Sequence, residues 1–249
     1  MPTAVVTGAN SGIGHAFANL LISEVGKKAP TSKLEYVADE ASQGYEVHAA
    51  DQEVGANLQA LQCRLHRLDV RSPESISGFS AQLTNKPIDL LLNIAGIMAP
   101  VAGADELSTI TKDLLTRIFE TNTFGPLLLT QALLPNLLAS PNPKIAIVSS
   151  RVGSIAENTS GGNYAYRASK AAVNSIGKSM AVELKAQGIV VDLLHPGIVV
   201  SNLTPAAGEV SPEAVQPEEA AAKLWAIVQE KGIEETGKFW HREGYELPW

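Results

Sequence analysis

Cysteine is almost missing from this chain: among 249 residues there is one, Cys63. No intramolecular disulfide can form, and a lone thiol suits a reducing compartment. Its ordinary role is that of a small buried hydrophobe. Basic residues are in the minority, 19 Lys and Arg against 26 Asp and Glu, and they form no run. Nucleic-acid binding needs clustered cations against phosphate and is not expected. No apolar run reaches the ~20 residues of a membrane span. The opening Met1-Pro2-Thr3 has neither the basic start nor the apolar core of a secretory signal. The expectation is a cytoplasmic protein without membrane association. The histidines, His15, His48, His66, His195 and His241, are dispersed and show no metal-ligand spacing. No metal is expected, and no Ser-His-Asp hydrolase motif is present.

What is present is an ordinary globular composition, 45% hydrophobic and 18% charged, in a chain long enough for a large core. Short apolar runs suited to strands fall at residues 4–6, 45–50, 63–68, 88–92, 144–149, 189–194 and 238–240. Helical patterns lie between them at 12–24, 53–61, 73–84, 112–138, 164–187 and 217–230. Strict alternation means βαβ units and a parallel sheet covered on both faces. The run Leu90-Leu91-Leu92 is apolar at consecutive positions, as a strand buried on both sides requires. With no repeat and no linker, residues 1–249 read as one α/β domain with a doubly wound sheet of about seven strands. Residues 25–43 interrupt the pattern: they are polar, with Pro30 and paired lysines. A native insertion loop is one reading. A retained intron is another, since every valine codon begins GT, one of the two glutamine codons ends in AG, and excision joins Glu24 to Gly44 in an ordinary short turn. A non-functional product damaged by this segment is a third.

The stretch "TGANSGIG", Thr7 to Gly14, places three glycines between the first strand and first helix. Glycine adopts conformations closed to other residues and has no Cβ to obstruct a ligand. The first N–H groups of a helix lack internal partners and carry partial positive charge. A pyrophosphate is therefore favoured at Gly12 to Gly14. The same turn also serves simply to join strand to helix, and its spacing differs from G-x-G-x-x-G.

The spacing resembles the cofactor motif of the short-chain dehydrogenase/reductase family, and the resemblance recurs in order along the chain. Asp69-Val70 follows the third strand. Asn93-Ile94-Ala95-Gly96 resembles the family's Asn-Asn-Ala-Gly, Asn122 lies in "ETNTFGPLLL", and Ser150 starts "SRVG". Tyr166 to Lys170 matches Tyr-x-x-x-Lys, and Pro196-Gly197 follows the sixth strand. The segments "SSRVGSIAENTSGGNYAYRASKAA" and "ETGKFWHREGYELPW" are similar to the C-factor-like and Sniffer-like carbonyl reductase branch. The resemblance implies a Rossmann-type fold, a nicotinamide dinucleotide, and reversible reduction of a carbonyl to a secondary alcohol. It places the cofactor against Gly8, Asn10, Ser11, Gly12, Ile13, Gly14, Asp51, Asp69, Val70, Asn93, Ala95, Gly96, Tyr166, Lys170, Pro196, Gly197 and Val199. It places catalysis on Asn122, Ser150, Tyr166 and Lys170.

Four residues apart on a helix, Tyr166 and Lys170 share a face. A free phenol, with a pKa of ~10, exchanges protons poorly at neutral pH, and a nearby ammonium is expected to lower that value. Ser150 is expected to hold the substrate oxygen. By resemblance Asn122 interrupts its helix and binds a water linking Lys170 to solvent. Tyr164 competes with Tyr166 but has Ala168 where a lysine is needed, and Ser149 and Ser154 compete with Ser150. The acidic Asp51 after the second strand suits the ribose hydroxyls of NAD and repels the phosphate of NADP. Ser11 stands where NADP-preferring relatives carry a base. Arg64 and Arg67 remain candidates to meet a phosphate.

Loops at 97–105, 152–163 and 198–211 are expected to shape the substrate pocket, with Ile97, Met98, Val152, Ile155, Ile198, Val199 and Leu203 either lining it or packing the loops. Small residues along 164–187 resemble the family's dimer face, so a homodimer or homotetramer is expected and a monomer stays open. The rival reading is a dinucleotide-binding sensor or signalling protein with little turnover.

Overall fold

The structure, a computed structural model, describes residues 1–23, 44–203 and 211–249. The segment 25–43 lies outside the described residues. Strands and helices alternate as β1 (Thr3–Thr7), α1 (Gly12–Ser23), β2 (Glu46–Asp51), α2 (Ala56–Gln59), β3 (Arg64–Arg67), α3 (Pro73–Gln82) and β4 (Leu90–Asn93). They continue as α4 (Lys112–Phe119), α5 (Gly125–Leu138), β5 (Lys144–Val148), α6 (Tyr164–Leu184), β6 (Val190–His195), α7 (Pro217–Glu230) and β7 (Phe239–His241). The seven strands form one sheet in the order β3-β2-β1-β4-β5-β6-β7. Every pairing within it is parallel. This is the doubly wound α/β architecture expected from the alternation.

Each face of the sheet has its own apolar layer. Leu91 joins Phe79 of α3, Leu133 of α5 and Val173 of α6, while Leu90 and Leu92 join Phe17 of α1 and Leu224 and Trp225 of α7. That division explains three consecutive leucines in one strand: neighbouring side chains enter opposite layers. The chain leaves β1 toward one side and β4 toward the other, so a crevice opens beyond their carboxyl ends. Thr7 braces this fork. Its Oγ1 donates to Leu92 O (3.2 Å) and accepts from the N–H groups of Ile94 (2.9 Å) and Ala95 (3.1 Å).

Two segments depart from the sequence pattern. The helix expected at 53–61 is only Ala56–Gln59. Asn10 shapes this region: its Oδ1 accepts from Leu58 N at 3.1 Å, and a Cβ on Gly55 would fall 2.7 Å from its amide. The segment is thus folded onto the glycine turn rather than carried on as helix. The long pattern 112–138 is two helices, α4 and α5, joined by a π turn at Glu120–Phe124 in which Gly125 N donates to Glu120 O.

β6 also carries a group the pattern concealed. Asp192 is fully buried, and among the described residues its carboxylate oxygens find no hydrogen-bond partner. Burial pushes its pKa up to about 7, although Lys144 opposes the rise. Lys144 directs its ammonium to the carbonyls of Val228 and Lys231 instead. The unfolded carboxyl titrates near ~3.9. Because the folded value is the higher one, the group's contribution to stability is fully present below ~4 and is lost as pH rises through about 7. Asp192→Asn is therefore expected to raise Tm relative to wild type by an amount that grows between pH 5 and pH 8.5. Thermal melts across that range check it, and a pH-independent difference would count against a buried carboxylate that ionises.

Candidate active site

The crevice is a cleft of about 1200 Å³ running from Asp51, Asp69 and Val70, past Gly8 and Gly12 to Gly14, to Ser150, Tyr166, Pro196 and Val199. Its floor is the glycine turn. Gly8 has φ +68°, and a Cβ there would stand 3.0 Å from Ala95 Cα, so the ends of β1 and β4 meet only because that atom is missing. Gly14 is tighter: a Cβ would lie 2.2 Å from Gly8 O and 2.9 Å from Thr7 O. Backbone fills the space on the inner side of the turn, leaving the first N–H groups of α1 toward the cleft. At the far side, Asp51 ends β2, and its Oδ2 accepts from Asn10 N at 3.0 Å. These glycines form a cradle that side chains would fill, and the cleft has room for a dinucleotide.

The other end is built by α6 and the loop after β5. Tyr166 and Lys170 are 7% and 4% exposed. Tyr166 and Ser150 line the cleft together, and the Ser150 side chain is close enough to the phenol to pull its pKa down. Lys170 Nζ lies 5.8 Å from the Tyr166 ring centroid and donates to Val148 O at 2.9 Å. Ser150 is brought close because the turn after it, Arg151–Gly153, presses on α6: a Cβ on Gly153 would sit 2.7 Å from the Lys170 carbonyl carbon. That contact gives the glycine of "SRVG" a physical purpose. Burial pushes the Tyr166 phenol up to about 12, with Ser150 pulling the other way, and pushes Lys170 down to about 8. The expected lowering of the phenol's pKa by the ammonium is thus reversed. Desolvation of both groups outweighs their mutual effect, and Lys170 aims its charge at a carbonyl.

The short chain dehydrogenase family profile matches residues 2–211. The chain belongs to this family. Across the whole of both chains it is 36% identical to 1-hydroxy-2-glutathionyl-2-methyl-3-butene dehydrogenase of Rhodococcus sp. strain AD45. It is 34% identical to the C-signal protein of Myxococcus xanthus, over 69% of this chain and 98% of that one. Among solved structures, NADPH-bound carbonyl reductase from chicken fatty liver superposes with a TM-score of 0.84 at 26% identity, covering 100% of this chain and 99% of that one. The Drosophila melanogaster carbonyl reductase Sniffer shares the fold, with a TM-score of 0.82 at 24% identity over 100% of each chain. As a short-chain dehydrogenase/reductase, the protein is an oxidoreductase of carbonyl and alcohol groups that uses a nicotinamide dinucleotide.

Not every residue named by resemblance to the short-chain dehydrogenases meets the cleft. Gly8, Ser11, Gly12, Ile13, Gly14, Asp51, Asp69, Val70, Ala95, Gly96, Ser150, Tyr166, Lys170, Pro196, Gly197 and Val199 line it, whereas Asn10, Asn93 and Asn122 stand behind it. Asn93 is buried and donates to Thr130 Oγ1 at 3.3 Å, tying β4 to α5. The Asp69 carboxylate is gripped by Arg71, through Nε at 2.9 Å and Nη2 at 2.7 Å. Asn122 clasps the main chain of Ile97, accepting from its N–H at 2.8 Å and donating to its carbonyl at 2.9 Å, and also donates to Ser169 Oγ at 3.1 Å. A Cβ on Gly96 would come within 3.4 Å of Asn122 Oδ1 and 3.6 Å of Lys170 Nζ, so only a glycine-sized gap separates the two.

The competitors fall elsewhere. Tyr164 is 41% exposed, and Ser154 is buried with its Oγ accepting from Glu157 N. Ser149 borders the cleft but turns its hydroxyl to Lys170 O. Four of the five histidines that sequence distance scattered come together in two pairs, and His15 stands apart against Ala9 O. His48 Nδ1 meets His66 Nε2 at 2.9 Å, and the rings of His195 and His241 lie 5.2 Å apart. His195 accepts from Arg151 N at 3.1 Å, and burial pushes its pKa down to about 3, so it is a neutral buttress of the loop after Ser150. Arg242 escaped the sequence reading altogether. Its Nη1 donates to Pro196 O (2.9 Å) and Ile198 O (3.2 Å), fastening the loop after β6 to the C-terminal segment.

Proposed function

We propose that Tyr166 is the general acid/base of an NAD-linked interconversion of a carbonyl and a secondary alcohol. The observation that carries this reading is the buried Tyr166 lining the cleft beside Ser150, with Lys170 one turn further along α6 on the same wall. When bound, the nicotinamide dinucleotide supplies or accepts the hydride. The glycine turn holds its diphosphate, Asp51 its adenosine ribose, Val70 and Asp69 the adenine, and the loop from Pro196 to Val199 the nicotinamide. Ser150 orients the substrate oxygen. Tyr166 gives that oxygen a proton in reduction and removes one in oxidation. Lys170, charged below its pKa of about 8, favours the phenolate left behind. The Asn122 side chain is committed to Ile97 and Ser169, so a water serving Lys170 is held by main chain at the π turn, where regular helical bonding is interrupted.

Met98, Val152, Ile198 and Leu203 at the cleft favour a substrate with an apolar body. The Rhodococcus relative's name, with its glutathionyl-bearing alcohol, makes thioether-substituted alcohols a first choice for a substrate panel. Exposed Phe124 and Leu127 on and beside α5 suit a homodimer. The half-buried Cys63, its thiol pKa raised by burial, suits the cytoplasm. Among the described residues no helix is long and apolar enough to cross a membrane.

NADH and NADPH titrations, followed by fluorescence, test the cofactor assignment. NADH is expected to bind about 10-fold more tightly, roughly the worth of one good hydrogen-bonding group. Asp51→Ala is expected to bring the two affinities close to equality. Arg67, paired in register with Asp51 and donating to Gln52 O, stays beside the ribose position to receive a phosphate. Arg64 is drawn away to Glu46 at the other end of β3. An unchanged ratio removes Asp51 from the cofactor site. The Myxococcus relative named C-signal favours a second reading, a signalling protein with little turnover. NADH binding without turnover on any alcohol or carbonyl would select it.

A further inference from the structure

The helix that carries Tyr166 begins badly by its own resources. Asn163 precedes it with φ 49°, and its side chain makes no capping bond. Gly161 and Gly162 before it also have positive φ, 64° and 67°. Such an approach leaves the first N–H groups of α6 without a local acceptor. One distant residue takes them instead. Asp105 Oδ1 accepts from Ala165 N at 2.7 Å, its Oδ2 accepts from Tyr166 N at 3.0 Å, and its main-chain carbonyl accepts from Tyr164 N at 3.3 Å. Asp105 is 4% exposed. A carboxylate on the first turn of a helix is favoured both by charge-assisted bonding and by the helix dipole.

The segment holding Asp105 borders the cleft. It leaves β4 through Ile97, whose main chain is clasped by Asn122, and then passes Met98 and Pro100, both of which line the cleft. Its turn is closed by Ala104 N to Val101 O and by the Thr109 hydroxyl to Gly103 O, and Asp105 then docks on α6. Residues 98–104 are thus strung between two anchors, one at the π turn and one at the main-chain N–H of Tyr166.

We propose that Asp105 is a positioning residue: it fixes the first turn of α6, and so the Tyr166 hydroxyl relative to Ser150, and couples that turn to the cleft-lining segment 98–104. The proposal rests on the reading of Tyr166 as the acid/base. Tyr166 is the third residue of α6, so fraying of this turn displaces its side chain bodily. Misplacement of a reacting group by ~1 Å costs on the order of 100-fold in rate.

The experiment compares wild type with Asp105→Ala, Asp105→Asn and Leu224→Ala. Leu224 is buried in α7 on the opposite face and serves as a destabilised control. Carbonyl reduction is measured well below each Tm, NADH affinity by fluorescence, and amide hydrogen exchange at residues 164–166 by mass spectrometry. Asp105→Ala is expected to lose roughly 100-fold in kcat, with NADH affinity kept within about 3-fold and faster exchange at 164–166. Asn retains one acceptor and turns a donor toward the other N–H, so Asp105→Asn is expected to fall between. Leu224→Ala is expected to lose Tm and keep kcat. The proposal is overturned if Asp105→Ala keeps kcat within about 3-fold, or if Leu224→Ala loses as much turnover at equal loss of Tm. If the alanine variant does not fold, Asp105→Asn decides, and a wild-type kcat overturns the proposal. Full turnover by Tyr166→Phe would instead sink the acid/base reading, and the exchange at 164–166 would still report whether Asp105 holds the turn.

Discussion

Tyr166→Phe is expected to bind NADH as wild type does and to lose between ~10² and ~10⁴ of turnover, the range that a positioned general acid contributes. The substitution removes one oxygen. The ring, 7% exposed, keeps its packing in α6. Loss of the polar contact with Ser150 costs at most on the order of 1 kcal/mol, too little to unfold a domain of this size. The Ser150 hydroxyl stays free to hold the substrate oxygen and cannot replace the proton. With burial holding Tyr166 near 12, the phenol is fully protonated at neutral pH, the form that reduction requires. Lys170, near 8, is charged below that value and neutral above it. The free enzyme's kcat/KM for reduction is therefore expected to be level below pH ~8 and to decline above it as the ammonium loses its proton. Single-turnover measurement after mixing with saturating NADH and carbonyl separates this loss from binding. Wild-type rates in Tyr166→Phe would exclude the phenol as proton donor.

The alternation of strands and helices was legible because its physical basis is local: a strand buried on both faces must read Leu90-Leu91-Leu92. The glycine turn was legible for the same reason, since no other residue type fits. What the sequence concealed depends on the third dimension. Asp105 precedes the N–H groups it accepts by 60 residues or so, and no periodicity links them. Arg242 meets Pro196 and Ile198 only after β7 has paired with β6. His48 and His66 are 18 positions apart yet share a bond because β2 and β3 lie side by side. Asn93 ends β4, and nothing in the sequence signals that its amide donates to Thr130 of α5, 37 positions on. The sign of the Tyr166 shift was missed because spacing gives proximity to Lys170 and says nothing about burial. At this site burial is the larger effect.

Gly14→Ala is expected to weaken NADH binding by 10-fold or more and to lower Tm, against the usual direction of this substitution in a helix. Gly14 is the third residue of α1, where alanine would ordinarily stabilise by up to ~1 kcal/mol. Here the added carbon would lie 2.2 Å from Gly8 O, 2.6 Å from Gly8 C and 2.9 Å from Thr7 O. All three obstacles are main chain, so no rotamer change relieves them. The first turn of α1 has to move off β1, at a cost of about 1–3 kcal/mol for such overpacking. With a propensity gain of up to ~1 kcal/mol offset, about 2 kcal/mol remains at the upper end, a fall of up to roughly 8 °C in Tm at this chain length. The N–H groups proposed to hold the diphosphate move with that turn, so affinity falls with stability. Gly78→Ala supplies the contrast. It lies inside α3 with no described residue within 4 Å of the added carbon, and it is expected to raise Tm slightly and leave NADH affinity unchanged. Thermal melts and NADH titrations on the two variants separate close approach from helix propensity. If Gly14→Ala matched Gly78→Ala in both, the contact between α1 and the end of β1 would not be what shapes the anion-binding end of the cleft.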